Sequence, residues 1–130
     1  MTDYVVYHKA ELMGYPALDV NALAIYTRKP TSGALGSRVW LVAGEGSPRQ
    51  YYLRAMFLIG SIEPSDNPDF KYLVVGTDGQ LFDPMPFLNE ESWFPAFVEE
   101  QGRFAFGFNR IKNAAAVSGL RSVLLENTLR

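Results

Sequence analysis

The feature that most constrains the fold is a long alternating segment at residues 51–62. Side chains along a strand point alternately to the two faces of a sheet. Residues 38–43 (RVWLVA) alternate in the same way, and the glycine-containing turn 44–48 (GEGSP) joins the two segments. The pattern predicts a hairpin with a buried face near the middle of the chain. The continuous apolar face of the long segment consists of Tyr51, Leu53, Ala55, Phe57 and Ile59.

Shorter segments predict the rest of the sheet, and residues 9–13 suit a single helical turn. The pair Asp78-Gly79 is typical of a type I′ hairpin turn, which needs positive φ at both central positions. We therefore expect a second hairpin around this pair. The predicted strands are 4–8, 23–28, 38–43, 51–62, 72–77, 80–82 and 104–111.

Two helices are predicted after the strands. Ser92 is the expected N-cap of the first, Pro95 falls in its first turn, and Gly102 ends it. Asn113 is the expected N-cap of the second. The predicted buried stripes are Trp93, Phe94, Phe97 and Val98 in the first helix and Val117, Leu120 and Leu124 in the second.

These elements predict a single α+β domain over residues 1–130. Its sheet is expected to be small, highly curved and mainly antiparallel, or a barrel, with two C-terminal helices. The 130 residues contain no cysteine, which excludes disulfides, thiolate metal sites and thiol nucleophiles and favours the reducing cytoplasm. The apolar runs are too short to cross a bilayer.

Charge is segregated along the chain although the net charge is only −2. Residues 1–60 carry six basic and four acidic side chains, residues 61–100 carry one and nine, and residues 101–130 carry five and one. Such segregation can leave a basic face on an acidic protein. The alternative is that the acidic block forms well-solvated loops and helix ends.

Three predicted strands each carry an aromatic residue and an arginine two positions apart, on the face away from the expected core. If the strands are neighbours, their rings and guanidinium groups would form one platform. Aromatic rings hold bases by stacking, and arginines hold phosphates. Alternatively, the pairs cover a solvated sheet face, or Trp40 packs under the final helix. The pairs are Tyr26/Arg28, Arg38/Trp40 and Tyr52/Arg54.

Two further residues could read the edge of a base. His8 ends the first predicted strand, where it could donate a hydrogen bond or, alternatively, cap the strand. Asn109 lies on the face of the last predicted strand opposite its phenylalanines, and its carboxamide could pair with a base. The alternative for Asn109 is a turn residue that bonds the nearby backbone.

No complete catalytic motif is present, so we expect no catalytic residues, no metal and no cofactor. Asp69-Phe70-Lys71 matches half of a metal-dependent nuclease site. A magnesium site would need Glu63 and Asp66 to join Asp69, which is the enzymatic alternative. With one histidine and no cysteine, the chain lacks the usual zinc ligands.

The order of elements over residues 2–62 resembles the PUA-like superfamily, in particular its EVE and YTH reader domains. The resemblance is carried by YVVYHKAELMGY (residues 4–15) and RVWLVAGEGSPRQYYL (residues 38–53), with Gly36-Ser37 at the position of a "GD" turn. It implies a small barrel with a cage for a flipped or modified base. It also implies Trp40, Tyr26 and His8 as cage walls. The second half of the chain does not align with that family.

The sequence therefore predicts a nucleic-acid-binding module, with DNA favoured over RNA, in a restriction or defence setting with a nuclease partner or fusion. Its ligand-binding residues would be Trp40, Tyr26, Tyr52, His8 and Asn109, and its phosphate-binding residues Arg28, Arg38 and Arg54. The alternative is a protein–protein interaction module that uses the acidic segment 61–100 and the Trp93 helix.

Overall fold

The computed structural model describes residues 1–9, 22–28, 33–104 and 108–128. Of the helical turn predicted over 9–13, only Lys9 is among them, and it belongs to the first strand. A short 3₁₀ turn spans Gly102–Phe104. The strands are β1 Asp3–Lys9, β2 Ala24–Thr27, β3 Arg38–Glu45, β4 Gln50–Pro64, β5 Tyr72–Leu81 and β6 Asn109–Arg110, and the helices are α1 Phe94–Glu100 and α2 Ala114–Thr128.

Within the described residues the strands form one curled, mixed sheet in the order β2-β5-β4-β3-β1-β6. β1 runs parallel to β3, and all other neighbours are antiparallel. The predicted hairpin is confirmed, because β3 and β4 pair from Glu45 opposite Gln50 up to Arg38 opposite Leu58. The predicted α+β fold, with a small curved sheet and two C-terminal helices, is confirmed as well.

Both faces of the central strands are buried. One face of the sheet packs against the helices, and its cluster includes Trp40, Val42 and Leu53 together with Phe97 and Leu120. The expectation that β3 buries only one face is therefore wrong, because the C-terminal helices cover the Trp40 side. The opposite face carries a second cluster that includes Val39, Leu41, Ala55, Phe57, Ile59 and Val74.

The hairpin predicted around Asp78-Gly79 is wrong, because β5 is one continuous strand through both residues. Neither residue has the positive φ that a type I′ turn requires. Asp78 pairs with Leu58 and Gly79 with Phe57. A Cβ added at Gly79 would lie 2.0 Å from the carbonyl oxygen of Met56. The glycine is thus required by the close approach of β4.

The first helix begins slightly later than predicted. Trp93, rather than Ser92, is its N-cap, and no side chain caps it. Pro95 lies in the first turn as expected, and Phe94 and Phe97 are buried. Trp93 and Val98 are half-buried against the same cluster.

The cap predicted for the second helix is confirmed. The backbone N–H groups of Ala115 and Ala116 donate to Asn113 Oδ1 over 3.0 and 3.2 Å. Leu120 is buried, and Val117 and Leu124 pack against the helix-side cluster.

Among the described residues, the strand predicted over 104–111 is found only in part, and Phe104, Phe108 and Ile111 do not belong to a strand. Residues 105–107 lie outside the described part of the chain, and only Asn109–Arg110 pairs as a strand. Phe104 instead belongs to the 3₁₀ turn, with φ of 61°. Its ring stacks on Tyr7 with the ring centres 5.0 Å apart. Phe104 therefore packs into the core from a turn rather than from a strand.

Candidate functional site at the β2 edge of the sheet

The structure does not bring the three aromatic–arginine pairs onto one face. β2, which carries Tyr26/Arg28, is at one edge of the sheet and is separated from β3 by β5 and β4. The shared platform expected from the sequence is therefore not formed. The pairs occupy three different environments.

The pair Arg38/Trp40 is part of the core. Trp40 is 0% exposed, and its indole Nε1 donates to Asp3 Oδ1 over 2.9 Å. Arg38 Nε lies 2.9 Å from the same oxygen, as an ion pair rather than an aligned hydrogen bond. The guanidinium carbon of Arg38 is 5.5 Å from the centre of the Trp40 ring. A ligand cannot stack on this ring in this structure, and Arg38 neutralises a buried carboxylate.

Arg54 and Tyr52 do not form a pair on one face. The register of β3 and β4 shifts at Leu41/Val42, so that Leu41 pairs with Ala55 and Val42 with Leu53. Arg54 is the residue left over at this bulge; it is 5% exposed and donates from Nη1 to the carbonyl of Phe82 over 2.7 Å. Bulges re-aim side chains, which is why strict alternation predicted Arg54 wrongly.

Tyr52 lies on the face of β4 away from the helices, in register with Ala43 of β3. Its ring packs at 5.5 Å against Phe87, and its hydroxyl donates to Gln50 Oε1 over 3.1 Å. Ala43 also pairs with His8 of β1, the strand on the other side of β3. His8 is only 5% exposed, and Ala43 between the two rings is fully buried. The register brings His8 and Tyr52 to the same level of the sheet, where His8 is buried and Tyr52 is half-buried.

Asn109 is held by the fold. Its Nδ2 donates to Gln101 Oε1 over 2.8 Å, and Gln101 Nε2 donates to the carbonyl of Arg110 over 3.3 Å. Gln101 is 1% exposed. This pair of carboxamides joins the end of α1 to β6, at the sheet edge opposite β2.

Of the three pairs, only Tyr26/Arg28 has an exposed arginine, and its ring is half-buried at the sheet edge. Tyr26 is half-buried and stacks on Phe70, with ring centres 5.6 Å apart and an angle of 25° between the planes. Arg28 is exposed, and its guanidinium carbon is 5.5 Å from the centre of the Phe70 ring. We call Tyr26, Arg28 and Phe70, with the adjoining Asp66 and Lys71, the edge cluster.

Hydrogen bonds fix the edge cluster in place. The Tyr26 hydroxyl donates to Asp66 Oδ1 over 2.8 Å, and Arg28 Nε donates to the carbonyl of Asp69 over 2.6 Å. The Lys71 backbone N–H donates to the carbonyl of Thr27 over 3.2 Å. The partner of Arg28 is a carbonyl, and no carboxylate pairs with its guanidinium among the residues that the structure describes. Its terminal Nη groups can therefore donate to an anion.

Phe70 was not predicted as a site residue, because it lies between the predicted strands 51–62 and 72–77. The signal that could have found it is the antiparallel pairing of β2 with β5, in which Tyr26 faces Leu73 and Thr27 faces Tyr72. If that register is continued by one position, Lys71 comes opposite Arg28, and Phe70 directly precedes Lys71. The pairing joins segments more than forty positions apart, so no local pattern reveals it.

The carboxylates proposed for magnesium have other roles. Asp66 accepts from Tyr26, and Glu63 Oε2 accepts from Ser61 Oγ over 2.9 Å. The described ranges contain no group of three or more His, Cys, Asp or Glu side chains able to hold a metal ion. They also contain no helix long and apolar enough to cross a membrane.

Trp93, the aromatic residue of the alternative interaction surface, lies between the two helices. A Cβ added at Gly119 of α2 would fall 2.1 Å from Trp93 Nε1, so the indole fills the space above this glycine. Its ring also packs 5.8 Å from Phe94 and 5.9 Å from Phe97. Trp93 is therefore used for helix packing.

Comparisons with protein-family models, with curated proteins and with solved structures found no match to this chain. The resemblance to PUA-like domains thus stays an expectation from the sequence.

Proposed function

We propose that the chain is a nucleic-acid-binding module that holds an unpaired base against the edge cluster. The observation that supports this proposal is the half-buried stack of Tyr26 and Phe70 at the sheet edge, with exposed Arg28 fixed beside it. A base that stacks on an aromatic side chain gains about 1–3 kcal/mol, largely independent of its sequence. The Nη groups of Arg28 and the ammonium group of exposed Lys71 would contact phosphates on either side of that base.

This proposal keeps Tyr26 and Arg28 from the sequence-based hypothesis and replaces the other ligand residues. Trp40, Arg38 and Arg54 are occupied inside the protein. Phe70 and Lys71 take their places at the edge of the sheet.

Three finer parts of the proposal rest on the sequence alone. The bound base is a modified or flipped one, as the PUA-like resemblance implies. The nucleic acid is DNA rather than RNA. The module works in the cytoplasm beside a nuclease that supplies the chemistry, in a restriction or defence system.

Two substitutions at Tyr26 separate stacking from folding. Tyr26→Phe and Tyr26→Leu both remove the hydroxyl that bonds Asp66, but Tyr26→Phe keeps the ring that stacks on Phe70. Only Tyr26→Leu removes the ring. We expect Tyr26→Phe to bind a fluorescein-labelled dT 12-mer within about twofold of the unmodified chain, and Tyr26→Leu to bind at least about fivefold more weakly, the lower end of one lost base stack.

The measurement is fluorescence anisotropy at low salt, with circular dichroism to confirm that each variant is folded. Equal binding by the two variants would move the ligand away from Tyr26. A folded, unmodified chain that binds neither single-stranded DNA nor RNA would refute the proposed function.

A second candidate function is association with a basic protein partner. It is favoured by the exposure of seven of the nine acidic side chains in residues 61–100; the seven are Glu63, Asp66, Asp69, Asp78, Asp83, Glu90 and Glu99. Trp93 would not take part, because it packs between the helices. Binding to such a partner would weaken with salt and would be the same for Tyr26→Phe and Tyr26→Leu.

A further inference from the structure

The carboxylate of Asp66 lies at the hydroxyl end of the Tyr26 ring. Its Oδ1 accepts the phenol hydrogen over 2.8 Å, and no other hydrogen bond to this carboxylate is found in the described part of the chain. Asp66 is exposed, so its second oxygen is open to solvent. A carboxylate is a hydrogen-bond acceptor only. The rim of the ring stack at this end therefore offers an acceptor to whatever stacks there.

Bases differ in what their edges offer to such an acceptor. Asp66 lies at the hydroxyl end of the Tyr26 ring, so a base stacked over the ring and extending past that end would bring its edge to the carboxylate. Cytosine and adenine carry exocyclic amino groups that donate to a carboxylate, whereas thymine and uracil present a carbonyl oxygen at the equivalent position. Two acceptors that face each other cannot form a hydrogen bond, and the carboxylate charge repels the carbonyl dipole.

We propose that the edge cluster prefers cytosine and adenine, whose amino groups (N4 and N6) donate to a carboxylate, over thymine and uracil, which carry a carbonyl oxygen (O4) instead. This inference rests on the proposed function and adds a specificity-determining residue, Asp66. Tyr26 positions the carboxylate through its hydroxyl, and the same ring supplies the stacking surface. Affinity and preference thus come from different atoms, so that they can be tested apart.

The test compares labelled dC and dT 12-mers at pH 7.5 by anisotropy. Both are single-stranded pyrimidine chains with the same number of phosphates, so their difference reports the base edge. We expect the unmodified chain to bind dC about tenfold more tightly, as one well-placed hydrogen bond to a base edge provides. Asp66→Asn replaces one acceptor oxygen by a donor group, and we expect the dC/dT ratio to fall below about twofold.

Asp69→Asn is the matched control, since it makes the same charge change in the same loop. Asp69 forms its hydrogen bonds through its backbone. Its carbonyl accepts from Arg28 Nε, and its N–H donates to Asn67 Oδ1. We expect this variant to bind both oligonucleotides slightly more tightly and to keep the dC/dT ratio. A ratio that falls equally in both variants would overturn the inference, because net charge would then explain it.

The outcomes separate the two proposals. Equal binding of dC and dT by the unmodified chain, with weaker binding by Tyr26→Leu, would overturn the base preference and leave the proposed function standing. Absence of binding to either oligonucleotide would overturn both.

Discussion

At the scale of single residues, the aromatic–arginine pairs show how one sequence pattern serves different purposes. Arg38 and Trp40 satisfy a buried aspartate, whereas Arg28 and Tyr26 make similar contacts on an exposed edge. The guanidinium group of Arg38 lies over the ring of its own pair, Trp40, whereas that of Arg28 lies over Phe70. Which pair faces solvent depends on which face of the sheet the helices cover. The residue types of the pairs do not contain this information, so it could not be predicted from them.

Asp3 is expected to be among the most important polar residues for stability. It is 4% exposed, and its Oδ1 meets both Trp40 Nε1 and Arg38 Nε. Asp3→Ala would leave the guanidinium group uncompensated and the indole N–H without its acceptor. We expect the free energy of unfolding to fall by about 3 kcal/mol, measured by urea unfolding at pH 7 with tryptophan fluorescence.

The control for this prediction is Asp83→Ala, because Asp83 is exposed and the change should stay within about 0.5 kcal/mol. Asp3→Asn should fall between the two, since it keeps an acceptor for Trp40 but loses the charge that compensates Arg38. If Asp3→Ala were as stable as the unmodified chain, the buried ion pair would have no role in stability.

At the scale of elements, prediction from sequence succeeded where alternation was long and failed where pairing was distant. β1, β3 and β4 match their predicted segments within about two residues, because a period of two sustained over many residues fits a strand and does not fit a helix. The Asp78-Gly79 signal is local and was overridden by the pairing of β5 with β4. Phe70 was missed because its position beside Tyr26 and Arg28 depends on the distant pairing of β2 with β5.

The end of α1 provides a prediction about backbone strain. Gly102, Arg103 and Phe104 all have positive φ, between 56° and 61°. An L-residue in this region pays about 1–2 kcal/mol, which glycine avoids at an entropic cost of roughly 0.5–1 kcal/mol. Arg103 is 81% exposed, and its contact with Glu99 spans 3.9 Å between two exposed side chains. We therefore expect Arg103→Gly to raise the free energy of unfolding by about 0.5–1 kcal/mol.

The matched control is Arg121→Gly, which removes the same exposed side chain from the interior of α2. Glycine there has the opposite effect, and the free energy of unfolding should fall by about 1 kcal/mol. Thermal or urea unfolding of the two variants side by side checks the difference in sign. Destabilisation by both would mean that the turn at Gly102–Phe104 is held by the Arg103 side chain rather than strained by it.

At the scale of the whole molecule, burial decides where a ligand can bind. The central strands are covered on both faces, so the rings of β3 and β4 serve mainly as core. β2 is at the sheet edge, where Tyr26 and Arg28 remain accessible together with the loop that precedes β5. The acidic block contributes Asp66, Asp69 and Glu63 to the same region. A ligand there must be held by stacking more than by charge.

This balance predicts a shallow salt dependence of nucleic-acid binding. For single strands, the logarithm of the binding constant falls with the logarithm of salt concentration by about 0.7 per phosphate contact. Two cations in the edge cluster, Arg28 and Lys71, therefore predict a slope of about −1.4. Lys71→Ala removes one contact while keeping the backbone bond to Thr27, and the slope should become about −0.7. Arg121→Ala, which removes a positive charge on α2, should leave it unchanged. A slope steeper than about −3, reduced by Arg121→Ala, would instead show that basic residues outside the edge cluster, Arg121 among them, contact the phosphates.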